Sequence, residues 1–490
     1  MKTYAYYADN KWQEPTSGEY FDSANPYTGK VWAQLPRCNE KDVNIAVQAA
    51  YRAQSEGPWS RLNQRERGLL IRRLGDVLGR HADQLARIEI NDNGMRCRDI
   101  FPDLADWLAG SFDYFADIAE KHQLAAATPR GLNALSRYTC HEPYGVVAGI
   151  TSWHSPLSSA ISKLAPALAA GNSVVLKPSE LASASTLDLM RVFEEADLPS
   201  GLINTVTGFG TEVGEPLVNH PLVRKISFSG SIEGAVRVAT CAARLIKSVT
   251  LEVDLKALQI VFDDARLEDS VLGVCAGIFA ASGKSGAGGS SLLVQSAIYP
   301  KFVAKLVEVA TRAKLGDPND ATTDLGPIAN KIHYERVLAS IETALQSGAT
   351  LACGGKAVKP GGAGGWFIEP TVISNVSATM AITQQPIPGP VFTVVKFDDE
   401  EVAIRIANQS ACPLIAGIWT ENQRRALELA HRINAGTVVS NNDFKICTHS
   451  AAEGYQQSDP GRENDPQSFY DFVQTKRIWF GKAGHIAAPF

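Results

Sequence analysis

The 490-residue sequence is marked first by what it does not contain. No window holds about 18 uninterrupted apolar residues, so no membrane-spanning helix is expected. The first ten residues include no apolar h-region, so they are not expected to act as a signal peptide. The net charge is only -5 and the isoelectric point about 6.0, with no basic stripe for nucleic acid or an anionic membrane. The eight cysteines (38, 97, 140, 241, 275, 353, 412 and 447) form no C-x-x-C pair and show no metal-ligand spacing. Scattered thiols in a long chain fit a reducing compartment, and a cytoplasmic location is expected. There is no repeat and no long low-complexity tract.

What is present is an ordinary globular composition, 45% hydrophobic and 20% charged. At roughly 150 residues per domain, the length accommodates two to four domains. Short apolar runs (Val146–Ile150, Ser173–Leu176, Lys225–Phe228, Ser248–Leu251) read as buried strands. Between them, Ser183–Ala196 and Gly210–Asn219 read as helices. Strand and helix in alternation predict a parallel sheet with helices on both faces. The pattern resumes with Gln259–Phe262, helices near Leu267–Ala281 and Pro300–Lys314, and a strand at Gly436–Val439, which predicts a second α/β domain. The glycine-rich stretch Gly354–Gly365 reads as a loop.

Several motifs carry more specific information. Asn25-Pro26-Tyr27-Thr28-Gly29, Leu176-Lys177-Pro178-Ser179-Glu180, Phe228-Ser229-Gly230-Ser231 with Gly234, and Gly461-Arg462-Glu463 occur in this order. Between the last two lies Gly283-Lys284-Ser285-Gly286-Ala287-Gly288-Gly289-Ser290-Ser291-Leu292-Leu293-Val294-Gln295. Together they resemble the motif series of the aldehyde dehydrogenase superfamily, over nearly the whole chain. The resemblance implies an α/β fold with a Rossmann-type nucleotide-binding domain (1–123 and 144–254) and an α/β catalytic domain (255–447). A β oligomerisation arm (124–143 and 468–490) completes it and favours a homodimer or homotetramer. The strand-like Ser136–His141 belongs to that arm.

The resemblance also assigns site residues. Lys177 and Glu180 match contacts to the adenosine ribose. Ser231 and the helix start after it match the pyrophosphate site, where free N–H groups favour anions. Gly208, Gly210 and Gly214 match small positions beside the adenine. All of these read equally as turn glycines and a capping serine. The nicotinamide half departs from the pattern. The family's E-L-G-G-K is Glu252-Val253-Asp254-Leu255-Lys256, and its E-I-F-G-P-V is Pro386-Ile387-Pro388-Gly389-Pro390-Val391. The expectation is therefore that no cofactor is required, with the adenosine half the only part of the site still able to take NAD(P).

The pocket departs too. The family's G-Q-x-C places its nucleophilic cysteine where this chain has Gly286, which cannot form a thiohemiacetal. The oxyanion asparagine falls on His154, an imidazole able to exchange a proton near neutral pH. Glu252 matches the general base and Lys163 a proton-relay lysine; either could instead be a structural ion-pair member. Ser155, Ser158, Ser159 and Ser162, at helical spacing, share one face. In the family's register that face, with Trp153, Ser285 and Gly286, forms a hydroxyl-lined substrate wall; by spacing alone it is a solvated face. Ser285 is a conceivable nucleophile with His154 or Glu252 as base, and Cys447 lies in a loop that can border the tunnel mouth.

Three functions follow. The favoured one is a non-redox enzyme (hydratase, lyase or hydrolase) using Glu252 and His154 on a polar carbonyl or unsaturated small molecule. The second is a non-catalytic pseudoenzyme acting as a binding or assembly subunit. The third is an NAD(P)-dependent aldehyde dehydrogenase with an unusual nucleophile or direct oxidation of the aldehyde hydrate.

Overall fold

A computed structural model describes residues 1–121, 125–128, 136–253, 256–285, 288, 290–409, 413–442, 452–453, 462–463 and 465–480. Its architecture is an α/β fold with two seven-stranded sheets. In the first, the spatial order is Ser248–Val253, Val223–Gly230, Val146–Ile150, Ser173–Lys177, Ile203–Thr205, Tyr6–Ala8, Lys11–Gln13. The first five strands run parallel, Tyr6–Ala8 pairs antiparallel with Ile203–Thr205, and Lys11–Gln13 pairs antiparallel with Tyr6–Ala8. Val146–Ile150 and Ser173–Lys177 are buried along their whole length, because helices cover both faces of a parallel sheet. One apolar cluster packs the helices Gln64–Asn93, Cys97–Lys121 and Pro156–Ala169 onto one face. Another packs Glu40–Ser55 onto the other.

The second sheet runs Thr350–Cys353, Thr371–Ser374, Val391–Phe397, Ser291–Gln295, Lys256–Val261, Pro413–Trp419, Thr437–Ser440. Only its first strand is antiparallel. Val473–Phe480, Ser136–Pro143 and Ala125–Thr128 form a separate antiparallel sheet.

The differences from expectation are local. Gly210–Asn219 splits into a π-turn at Gly210–Gly214 and a short helix at Glu215–Asn219. The Leu267 helix ends at Phe279 and passes into a 3-10 turn, Ala280–Gly283, where Ala281 and Ser282 take positive φ. Within the glycine-rich loop, Ala357–Val358 pairs with Phe367–Ile368, a contact made with residues outside the loop and so invisible to local composition.

Topology alone selects the site. The chain winds outward from Val146–Ile150 through Ser173–Lys177 to Ile203–Thr205, then returns to place Val223–Gly230 on the opposite side of Val146–Ile150. The crevice beyond the carboxyl ends at such a reversal is where open α/β sheets bind ligands.

Candidate active site

A cleft of about 570 Å³ opens at that point. The carboxyl ends of the first sheet's strands form one wall, with Ile150, Lys177, Ser229 and Glu252. Segments entering the second sheet form the other: Gly283–Ser285 before Ser291–Gln295, and Pro386–Gly389 before Val391–Phe397. The two segments are locked together at Gly283. Its φ is +77°, and a Cβ there would stand 2.3 Å from the Gly389 carbonyl carbon. Only glycine fits both the left-handed backbone and this approach.

At one end of the cleft, Lys177 is 3% exposed. Its Nζ donates to the Pro178 carbonyl at 3.1 Å and to Glu180 Oε2 at 3.2 Å. Burial pushes the Lys177 pKa down, and Glu180 opposes that shift. Gly210 and Gly214 face open space: a Cβ on Gly210 would meet nothing within 4 Å, and one on Gly214 only Lys177 Cδ at 3.9 Å. Ser231 caps the helix Ile232–Arg244, its Oγ accepting the Gly234 N–H at 3.1 Å. The first-turn N–H groups and the dipole there suit a phosphate. Gly208 holds the turn before Gly210 with φ +138°.

At the other end a polar chain crosses the floor. Lys163 Nζ donates to Ser229 Oγ at 2.6 Å, and Ser229 Oγ donates to Glu252 Oε2 at 2.6 Å. Lys163 is fully buried in the helix Pro156–Ala169, whereas the Glu252 side chain is 39% exposed toward the cleft. A buried ammonium is thereby connected to a carboxylate 4.0 Å away that faces the cavity. Ser229 was not singled out from the sequence. The signal that could have found it is its place in Phe228-Ser229-Gly230-Ser231, and the parallel register that sets it beside Glu252.

Trp153 and His154 also line the cleft. Their loop is held from behind by Asn93, whose Nδ2 donates to the Trp153 carbonyl at 3.3 Å and the His154 carbonyl at 3.0 Å. The Trp153 ring packs against His333 with centroids 4.2 Å apart and planes tilted by 45°, His333 coming from the start of the helix Lys331–Gln346. Burial and the nearby Lys284 ammonium push the His154 imidazole down to about 4. Above that pH it is neutral, so the expected exchange of protons near pH 7 does not follow: desolvation disfavours the charged ring.

Ser155, Ser158, Ser159 and Ser162 do share a helix but are not among the residues lining the cleft. Ser162 is buried and donates back to the Ser159 carbonyl at 3.1 Å. Ser159 Oγ is buried without a hydrogen-bond partner among the described residues. Ser285 lines the cleft. Gly286, Asp254 and Cys447 lie outside the described residues. Pro386 and Pro388 stand in the cleft wall with Ile387 between them packed into the core. Lys284 was quoted within the Gly283–Gln295 motif but given no role, and His333, Arg336, Asn93 and Glu89 were missed, because nothing in the local sequence indicates that they converge here.

The aldehyde dehydrogenase family model matches residues 12–478. The chain belongs to the aldehyde dehydrogenase family. It is 37% identical to an aldehyde dehydrogenase of Emericella nidulans, over 97% of this chain and 94% of the relative. It is 36% identical to a betaine aldehyde dehydrogenase of Mesorhizobium japonicum, over 100% of this chain and 99% of that one. Among solved structures, the NAD+ complex of a Bacillus cereus aldehyde dehydrogenase superposes with a TM-score of 0.93 at 34% identity, covering 98% of this chain and 96% of that one. The betaine aldehyde dehydrogenase of Staphylococcus aureus, also an NAD+ complex, gives 0.95 at 32% identity over 99% and 96%.

These likenesses correct two expectations. Whole-length relatives named as dehydrogenases oppose a hydratase, lyase or hydrolase, and equally a pseudoenzyme serving as an assembly subunit. Neighbours solved with NAD+ oppose the expectation that no cofactor is required. The geometry supplies a reason. The prolines at 386 and 388 line the cleft wall without closing it, and one continuous cavity runs from Lys177 and Glu180 to Glu252. Among the described residues, no helix is long and apolar enough to cross a membrane.

Proposed function

We propose that this member of the aldehyde dehydrogenase family is an NAD(P)+-dependent dehydrogenase of a polar aldehyde, working on the aldehyde's hydrate without a cysteine adduct. The observation that carries the reading is the Lys163–Ser229–Glu252 chain opening into the cleft. The residues present fit the dinucleotide. Lys177 and Glu180 would hold the adenosine ribose, the N-terminus of Ile232–Arg244 behind Ser231 the pyrophosphate, and the space over Gly210 and Gly214 the adenine. When bound, NAD(P)+ supplies the hydride acceptor.

The protein's own groups then handle the proton. Gly286 offers no thiol, so the carbon to be oxidised is that of the hydrate, R–CH(OH)2. Glu252 takes one hydroxyl proton as that O–H bond breaks and the C=O bond of the acid forms. Ser229 keeps its own O–H directed at the Glu252 carboxylate, and Lys163 anchors Ser229 from the buried side. His154, neutral above pH 4, is placed to donate one hydrogen bond to the substrate oxygen. Trp153, Ser285 and the neighbouring Ser290 supply wall and polar contacts.

The names of two relatives, a betaine aldehyde dehydrogenase and an Arabidopsis aminoaldehyde dehydrogenase at 35% identity, support a polar, amine-bearing aldehyde. The strand pair Ser136–Pro143 and Val473–Phe480 supports an arm at 124–143 and 468–490, and with it a homodimer or homotetramer. The test is a panel of aminoaldehydes and betaine aldehyde with NAD+ or NADP+, read by reduced-nucleotide absorbance. Turnover that vanishes in Glu252→Gln is expected. A flat trace across the panel, in protein that binds the dinucleotide, overturns the reading.

A further inference from the structure

Lys284 occupies the position of the glutamine in the family's G-Q-x-C motif, and its surroundings suit a cation rather than an amide. It is 4% exposed. Its Nζ donates to the carbonyls of Gly94 at 2.7 Å, Asn93 at 3.2 Å and Pro327 at 3.5 Å. An ammonium has three N–H groups for three acceptors; a carboxamide has two. Two of those carbonyls close the helix Gln64–Asn93, whose negative dipole end favours a positive charge. Gly94 ends the helix in the left-handed conformation at φ +71°.

The same helix end holds the opposite loop. Asn93 Nδ2 carries the carbonyls of Trp153 and His154, and the buried Glu89 carboxylate accepts the Leu157 N–H at 3.0 Å. Lys284 therefore ties one catalytic wall to the turn that carries the other. The charged and titratable groups facing it are Glu89 from that helix, Arg96 and Asp99 at the start of the next helix, and His154 across the cleft. The segment Pro386–Pro390 adds none. Burial pushes Lys284 down to about 7 and Glu89 up to about 8. Lys284 is thus charged throughout the acidic range in which an imidazole takes up its proton.

We propose that Lys284 is a positioning residue: its Nζ fastens the 281–285 loop to the helix end at Asn93–Gly94, from which the Asn93 side chain holds the loop carrying Trp153 and His154. The role in turnover rests on the dehydrogenase reading; the tether does not. The experiment follows histidine ring carbon signals against pH in wild type, Lys284→Gln and Lys284→Arg, with His154→Asn for assignment and no substrate or nucleotide present. In Lys284→Gln the His154 midpoint is expected to rise, while Lys284→Arg stays with the wild type. Amide exchange over 153–157 is expected to quicken about tenfold in Lys284→Gln. Lys284→Met serves instead if glutamine does not fold there. An unmoved His154 midpoint, or unchanged exchange, in a folded variant overturns the proposal. Because neither readout uses turnover, such a failure leaves the dehydrogenase reading standing, and an absence of turnover leaves these readouts interpretable.

Discussion

Ser229→Ala separates a working relay from an incidental ion pair. The serine bridges Lys163 and Glu252 through two hydrogen bonds of 2.6 Å, and without it the ammonium and carboxylate face each other directly at 4.0 Å. A hydrogen bond to a charged group is worth about 1.5–3 kcal/mol. Glu252 is 39% exposed, so water replaces part of what is lost on its side. The lower half of that range applies, about 1.5–2 kcal/mol, which is about a 10- to 30-fold fall in kcat. Glu252→Gln removes the base itself and is expected to cost about 10²- to 10⁴-fold. The assay is steady-state reduction of NAD(P)+ with the best aldehyde of the panel, alongside calorimetric measurement of NAD(P)+ binding. Binding should stay within about twofold in both variants, since neither residue contacts the adenosine end. Lys163→Met combined with Ser229→Ala should lose no more than Lys163→Met alone, because the two act in series. Full turnover in Ser229→Ala, or additive losses in the double variant, refutes the relay.

Other outcomes are expected from the same geometry. His154 and His333 are both pushed down to about 4 from an ordinary 6.5, chiefly by burial. The fold then binds fewer protons than the unfolded chain between those values, so stability falls as pH drops from 6.5 to 4. The loss is at most about 3 kcal/mol per imidazole, and His154→Gln should flatten its share in urea unfolding followed against pH; parallel curves for variant and wild type contradict this. Gly283→Ala places a Cβ against the Gly389 backbone at 2.3 Å with φ at +77°, and is expected to cost at least about 3 kcal/mol. Wild-type unfolding midpoints in that variant would show the two cleft segments to be independent. Lys177→Met is expected to raise the NAD(P)+ dissociation constant about tenfold or more with little change in kcat at saturation; unchanged binding would remove Lys177 from the site.

How far the sequence could be read differs by feature. Val146–Ile150 and Ser173–Leu176 were legible because central parallel strands are continuous apolar runs, a signal contained in consecutive residues. The motif order Asn25–Gly29 to Gly461–Glu463 was enough to place the chain in its family, since each motif is local and their succession is specific. The serine row at 155–162 was legible as part of one helix, but helical spacing reports that side chains share a face and not what the face meets; those residues stand outside the lining of this cleft. His154 did mislead: its ordinary pKa belongs to a solvated ring, and burial, with Lys284 nearby, pushes it down.

By itself the sequence determined the α/β alternation, the family, and the residue types present at Lys163, Lys177, Glu252 and Gly286. Tertiary structure alone decided which of them meet. Ser229 joins Lys163 to Glu252 because two parallel strands bring residues 23 apart into register. Lys284 reaches the end of the helix Gln64–Asn93 across some 190 residues of chain. Such contacts depend on where whole sheets and helices come to rest, a free-energy balance summed over the entire core, and no window of neighbouring residues encodes it.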